Sequence, residues 1–175
     1  VGPQPKRTAV AEARPAANRV EPGATVSMAR PWVLLDESAG GFALTNDDEP
    51  TGHVRVGDIL STRAEGGQWQ IGVVRWTKMR GARRLDVGVQ RLAPGAKPVA
   101  IMAIDGDQDA FLLALELPEI KPLRQPASLV TPRGLFKANR MYYLDNGYQT
   151  RQIRAVKLVE LSNAFERFQF QHIDE

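Results

Sequence analysis

Short β-type runs that recur along the chain constrain its fold more than any other feature. From residue 24 onward, runs rich in Val, Ile, Leu and Trp alternate with Gly, Asn, Asp and Pro, a pattern typical of antiparallel strands joined by turns. Short strands at such close spacing favour a small barrel or sandwich. In the first half, strands are predicted at about 25–35, 41–45, 58–64, 69–76 and 85–92.

A second β-rich block follows the turn-forming stretch LAPGAKPVA at 92–100. Its predicted strands lie at about 99–104, 110–118, 127–132, 140–146 and 149–161, with a last strand through RFQFQHI. We therefore predict an all-β protein, with a small antiparallel β-barrel at 24–97 and a second β-barrel-like domain at 98–175. Residues 1–23 are rich in Pro, Ala and Arg and lack a sustained period, which indicates a flexible basic leader.

Composition limits the classes of function. The 175 residues are 43% hydrophobic and 25% charged, as in globular proteins. The net charge of +3 suits an anionic ligand but falls well short of a nucleic-acid-binding tail. With no cysteine and two histidines, disulfides are impossible and a metal site is not expected. No apolar run approaches the roughly 18 residues of a membrane-spanning helix, and the start has no signal-peptide pattern. We expect a cytoplasmic location and, because the chain does not begin with Met, a longer parent protein.

The stretch WVLLDESAGGFAL (32–44) carries unusual chemistry for a strand-turn-strand unit. A plain hairpin needs only Asn-Gly or Asp-Gly, so Asp36, Ser38 and Gly41 call for another reason. The Asp36 carboxylate can accept the two donors of a guanine edge, and the Ser38 hydroxyl can donate, accept or bond its own turn. Gly40 and Gly41 permit positive φ and let another molecule approach the main chain without a Cβ clash. An ordinary Asx or Ser turn explains the same residues.

Three elements in order, DESAGG (36–41), IGVVRW (71–76) and LDVGVQRL (85–92), resemble a PilZ domain, the small bacterial β-barrel that binds cyclic di-GMP. The first is similar to the D-x-S-x-x-G turn of that family, the second to its G-x-V-x-W strand, and the third to the following G-V strand. The residues that match the second and third elements are Gly72, Val74, Trp76, Gly88, Val89 and Leu92.

The resemblance implies a sensor, in which an R-x-x-x-R motif before the first strand closes over a nucleotide held at the turn. The nearest arginines here are Arg14 and Arg19, one residue farther apart than in that motif. The RGARR stretch (80–84) has the right spacing but follows the turn, so we expect a solvated basic hairpin tip. The resemblance thus predicts cyclic di-GMP as ligand, bound by Arg14, Arg19 and the D-x-S-x-x-G turn residues. The alternative is a PilZ-like module that binds no nucleotide and contacts an unidentified protein partner.

Other residues support no competing chemistry. No acid, base and nucleophile converge in the sequence, so we predict a protein that is not an enzyme and has no cofactor. AIDGDQDAF (103–111) fails the register of an EF-hand loop and is predicted to be a loop between strands. Phe168 and Phe170 share one face of a strand, which favours the core over a partner surface. Strand positions with apolar neighbours also predict core packing, rather than a nucleic-acid stacking platform, for Trp32, Trp69 and Trp76.

Overall fold

The computed structural model describes residues 8–14, 30–47, 54–105 and 110–173. In this part of the chain the regular elements are β-strands and one short 3-10 turn at Lys121–Leu123. The strands are β1 (Thr8–Arg14), β2 (Arg30–Glu37), β3 (Gly41–Asn46), β4 (Ile59–Ala64), β5 (Gln70–Arg80), β6 (Arg84–Pro94), β7 (Lys97–Ala103), β8 (Leu112–Leu117), β9 (Ser128–Thr131), β10 (Met141–Asp145), β11 (Thr150–Leu161) and β12 (Glu166–His172).

The strands form two closed antiparallel barrels. The first has the order β1-β2-β3-β6-β5-β4, and the second has the order β10-β11-β12-β9-β8-β7. Described residues up to Gly95 belong to one compact unit and those from Ala96 onward to the other. The predicted all-β class with two barrels is confirmed. The predicted boundary at 97/98 falls just inside β7, slightly after the division between the units.

Strand β1 corrects the prediction of a leader at 1–23, which is wrong for Thr8–Arg14. This strand closes the first barrel by pairing with β2 on one side and with β4 on the other. Its sequence, TAVAEAR, has few large apolar residues to produce an alternating pattern. Backbone hydrogen bonds to two neighbours stabilise such a segment, and those bonds leave little signal in the sequence. The rest of the predicted leader lies outside the described residues.

The core of the first barrel confirms one tryptophan prediction and overturns two. Trp32 is buried, but Trp69 and Trp76 have exposed fractions of 38% and 44%. Trp76 follows a β-bulge, since Val74 pairs with Val89 and Trp76 pairs with Gly88, which leaves Arg75 as an extra residue. A bulge reverses the inward and outward alternation of the strand. Trp69 precedes β5. The guanidinium carbon of Arg63 lies over the Trp69 ring, 4.8 Å from the ring centre.

The second barrel surrounds an apolar core that contains Phe168 and Phe170 of β12, which confirms their predicted placement. The buried Glu166 carboxylate accepts the backbone N–H groups of Gly134, Leu135 and Phe136. Burial raises the pKa of the Tyr142 hydroxyl, which donates to the carbonyl of Leu135. The segment that follows β9 is therefore fixed by polar contacts from two strands.

The RGARR stretch forms the tip of the β5–β6 hairpin, and its residues 80–83 are exposed to solvent, as predicted. Asp86 is 1% exposed, and the guanidinium groups of Arg80 and Arg84 donate to its carboxylate. Burial alone would raise the pKa of Asp86, but hydrogen bonds from Thr45, Arg80 and Arg84 outweigh that effect and lower it. Arg80 and Arg84 thus bind a buried carboxylate of β6 while their own side chains stay 55% and 42% exposed.

This ion cluster gives the first barrel a defined dependence on pH. Because the pKa of Asp86 is lower in the folded state than in the unfolded chain, the cluster contributes stability above about pH 4, and that stability disappears as the pH falls through the folded-state pKa. Asp86→Asn is expected to lower the free energy of unfolding by about 1–3 kcal/mol at pH 7, and by less below pH 4. Chemical denaturation of the wild type and the variant at several pH values measures this difference in the free energy of unfolding.

Asp47→Asn is the matched control, because Asp47 approaches the same Arg84 at 3.8 Å but has a 73% exposed side chain. It is expected to change the free energy of unfolding by about 0.5 kcal/mol or less. An Asp86→Asn penalty that stays the same between pH 7 and pH 3 would contradict this role for the carboxylate.

Candidate functional site

The DESAGG segment contains the end of β2, the connection at 38–40 and the first residue of β3, and its residues 36–40 are exposed to solvent. A β-bulge precedes it, because Leu34 pairs with Leu44 and Asp36 pairs with Ala43, which leaves Leu35 unpaired. The side chain of Asp36 is thereby re-aimed relative to regular alternation. One oxygen of its carboxylate accepts the N–H of Glu37 at 2.9 Å.

Ser38 closes the turn through its own backbone. Its N–H donates to the carbonyl of Gly41 at 2.8 Å, and its hydroxyl donates to the same oxygen at 3.3 Å. Ser38 thus forms the Ser turn that the sequence allowed. Its side chain also lines an open pocket beside the turn.

Neither Gly40 nor Gly41 uses the positive φ that glycine permits, so any reason for a glycine at these positions is steric. A Cβ on Gly41 would overlap the carbonyl oxygen of Val89 and lie 3.2 Å from the Cα of Gln90. Gly41 is therefore required for close contact between β3 and β6. A Cβ on Gly40 would meet no atom within 4 Å, which leaves that backbone open to an approaching molecule.

Trp76 and Gly88 form the opposite side of the site. They are cross-strand partners, and the indole covers Gly88 so closely that a Cβ there would lie 2.6 Å from its Cδ1 and nearer still to its Nε1. Only glycine leaves room for the ring in this position. Because the exposed fraction of Trp76 is 44%, much of the indole remains available to a ligand.

An open pocket of about 320 Å³ lies between these groups. Its walls come from three segments, namely the β2–β3 turn, the bulge of β5 and the facing part of β6. The residues lining it are Asp36, Ser38, Gly40, Gly41, Phe42, Ala43, Arg75, Trp76, Gly88, Val89 and Gln90.

Arg75 is the extra residue of the β5 bulge and places a guanidinium at the pocket. Its Nε donates to the Oε1 of Gln90 at 2.7 Å, so both polar side chains sit side by side on the pocket wall. The pocket combines a carboxylate, a guanidinium, an aromatic face and open main chain. That combination suits a planar ring carrying hydrogen-bond donors together with a nearby anionic group.

The structure brings together three of the five site residues predicted from the sequence. Asp36, Ser38 and Gly41 line the same pocket. Arg14 ends β1, opposite Ile59 of β4, but its side chain is not among those described. Arg19 lies outside the described residues.

Sequence reasoning missed the site roles of Arg75, Trp76, Gly88 and Gln90. The signal for Trp76 and Gly88 was present, since both belong to the family-like strands, but the apolar neighbours of Trp76 on its strand favoured the core. Arg75 occupies a variable position within the G-x-V-x-W pattern. A bulge that adds one residue to a strand has no reliable mark in a single sequence.

Within the described part of the chain, no cluster of three or more His, Cys, Asp or Glu residues could hold a metal ion. Among the same residues, no helix has the length and hydropathy to cross a membrane.

The fold and the pocket define a PilZ-type β-barrel joined to a second β-barrel, and comparison with protein families identifies the group. The model described as "Cyclic-di-GMP receptor FimW, middle PilZ domain" matches residues 6–98, and that described as "FimW C-terminal beta-barrel domain" matches residues 99–173. The chain belongs to the FimW family and carries its middle PilZ domain followed by its C-terminal barrel.

A curated relative is the "Cyclic-di-GMP receptor FimW" of Pseudomonas aeruginosa, which is 24% identical over 140 residues. The alignment covers 78% of this chain but only 23% of the relative. The chain therefore spans about a quarter of the length of that protein.

Proposed function

We propose that the first barrel is a cyclic di-GMP-binding regulatory module of a cytoplasmic bacterial signalling protein, a receptor and not an enzyme. The observation that carries this is the convergence of Asp36, Arg75 and Trp76 on one open pocket beside the D-x-S-x-x-G turn. The matched family and the curated relative are both described as cyclic di-GMP receptors, which supports the same ligand.

Each group has a distinct task in the proposed complex. The Asp36 carboxylate accepts the N1–H and exocyclic amino donors of a guanine base. The exposed part of the Trp76 indole stacks on the ring, an interaction worth about 1–3 kcal/mol per base in other proteins. The guanidinium of Arg75 pairs with the base edge or a phosphate, for which its planar fork is suited. Gly40 leaves room for close approach to the turn.

Arg14 and Arg19 remain part of the proposal, as guanidinium groups that contact the nucleotide on the side away from the D-x-S-x-x-G turn. Arg14 ends a strand of the barrel itself. In this arrangement, contact of Arg14 and Arg19 with the nucleotide changes the surface that the barrel presents to a protein partner. Such a change is the regulatory output expected of a receptor.

Isothermal titration with cyclic di-GMP tests the proposal. The wild-type chain is expected to bind with a dissociation constant of about 10 µM or tighter, and Asp36→Ala is expected to weaken binding about 10-fold or more, because hydrogen bonds to a charged group are lost. Cyclic di-AMP should bind more weakly, since adenine lacks the paired donors that face a carboxylate.

Asp47→Ala is the control, because it removes an exposed acid of the same barrel that does not line the pocket. Wild-type affinity is expected for this variant. The absence of saturable binding by the wild-type chain would exclude the receptor and favour a PilZ-like module that contacts other proteins without nucleotide. Unchanged affinity of Asp36→Ala would move the site elsewhere.

A further inference from the structure

Arg91 of β6 contacts the turn of the site without lining the pocket. It follows Gln90, a pocket residue, and successive residues of a strand point to opposite faces. The side chain of Arg91 is 24% exposed, and the centre of the Phe42 ring lies 5.2 Å from its guanidinium carbon. Arg91 thus approaches the turn from outside the space that a ligand would occupy.

The contacts of Arg91 converge on the turn carbonyls. One terminal nitrogen donates to the carbonyl of Ser38 and, at 3.4 Å, to that of Gly41. Its backbone N–H donates to the carbonyl of Gly40 at 3.0 Å. One residue therefore binds three carbonyl oxygens of the four-residue segment 38–41.

Two further contacts fix the guanidinium itself. Its Nε donates to the Oε1 of Gln70 at 2.9 Å, and its other terminal nitrogen forms an ion pair with the carboxylate of Glu37. This pair neutralises a second acid directly beside Asp36. Without it, an additional uncompensated carboxylate at the turn would repel the phosphates of an anionic ligand.

We propose that Arg91 is the positioning residue of the site, which holds the turn at 38–41 in its binding conformation and neutralises Glu37. This inference rests on the proposed function for its ligand. A turn that is ordered before binding avoids the conformational-entropy cost that a flexible turn would incur on ligand association. Arginine is specifically suited, because its rigid fork donates in several directions at once, whereas the ammonium of lysine is a point charge on a flexible stem.

Arg91→Met tests the inference, because methionine retains an unbranched apolar stem but no donor. It is expected to weaken cyclic di-GMP binding about 10-fold or more at a temperature where the barrel is fully folded. Amide hydrogen exchange at Ser38, whose N–H donates to the carbonyl of Gly41 within the turn, should accelerate by a similar factor. Arg91→Lys keeps the charge but not the fork, so its affinity is expected to lie between those of the wild type and Arg91→Met.

Arg63→Met is the matched control, since Arg63 also lies over an aromatic ring of this barrel but does not line the pocket. It is expected to leave affinity and turn exchange unchanged. Wild-type affinity in Arg91→Met, or unchanged amide exchange at Ser38, would overturn the positioning role. A loss of affinity that merely follows a loss of folded protein would also overturn it.

The binding measurement and the exchange measurement together separate this inference from the proposed function. If the wild-type chain binds no cyclic di-GMP, the proposed function fails, and the ligand part of the inference fails with it. The exchange measurement needs no ligand, so it still decides whether Arg91 orders the turn.

Discussion

Gly88→Ala is expected to weaken cyclic di-GMP binding by about 10-fold or more, since stacking on a base contributes about 1–3 kcal/mol. The added Cβ would occupy the space of the Trp76 indole, 2.6 Å from Cδ1. The ring is 44% exposed, so it can rotate away without disrupting the barrel core. The variant therefore loses one wall of the pocket with a limited change in stability. Titration calorimetry and thermal unfolding measure the two effects.

A double-mutant cycle with Trp76→Ala shows whether Gly88 acts through the indole. Trp76→Ala alone is expected to weaken binding as much as Gly88→Ala. In the Trp76→Ala background, the further change Gly88→Ala should have little effect on affinity, because the group it displaces is already gone. Equal penalties for Gly88→Ala in both backgrounds would contradict this account of the pocket wall.

Gly41→Ala is expected to destabilise the first barrel by about 1–3 kcal/mol or more, as overpacking does in other proteins. Its Cβ would overlap the backbone carbonyl of Val89, and a main-chain atom cannot move away as a side chain can. Strands β3 and β6 would have to separate near the site. A loss of this size lowers the midpoint of thermal unfolding by several degrees in a domain of about 100 residues.

Gly40→Ala is the control for Gly41→Ala, because the two glycines are adjacent and a Cβ at Gly40 meets nothing within 4 Å. It is expected to leave the midpoint of thermal unfolding nearly unchanged. The unfolding of the second barrel should be unaffected by either variant. A destabilisation that is the same for both glycines would refute the close approach of β3 and β6 as the reason for Gly41.

The sequence predicted the strands well because most of them alternate in hydrophobicity and end at turn residues. Gly66, Gly81, Gly134 and Gly147 lie at turns and have positive φ, which glycine adopts without a steric penalty. The closing strand β1 was missed because its small residues show no period. Its position is determined by hydrogen bonds to β2 and β4, which are tertiary contacts.

The site residues at the β2–β3 turn were predictable from the sequence, whereas those that the bulge of β5 turns toward the pocket were not. Asp36, Ser38 and Gly41 lie within six consecutive residues, so their shared location follows from a single turn. Trp76 and Arg75 face the pocket only because a bulge interrupts β5. The role of Arg91 depends on a contact with Ser38 across 53 positions of the chain, and neither residue type nor spacing indicates such a contact.

Mapping of backbone amide chemical shifts during titration with cyclic di-GMP tests the central claim most directly. The account predicts saturable shifts concentrated at residues 36–43, at Arg75 and Trp76 of β5, and at residues 88–90. Shifts confined to the second barrel, or no shifts at ligand concentrations of about 100 µM, would contradict the assignment of this pocket as the nucleotide site.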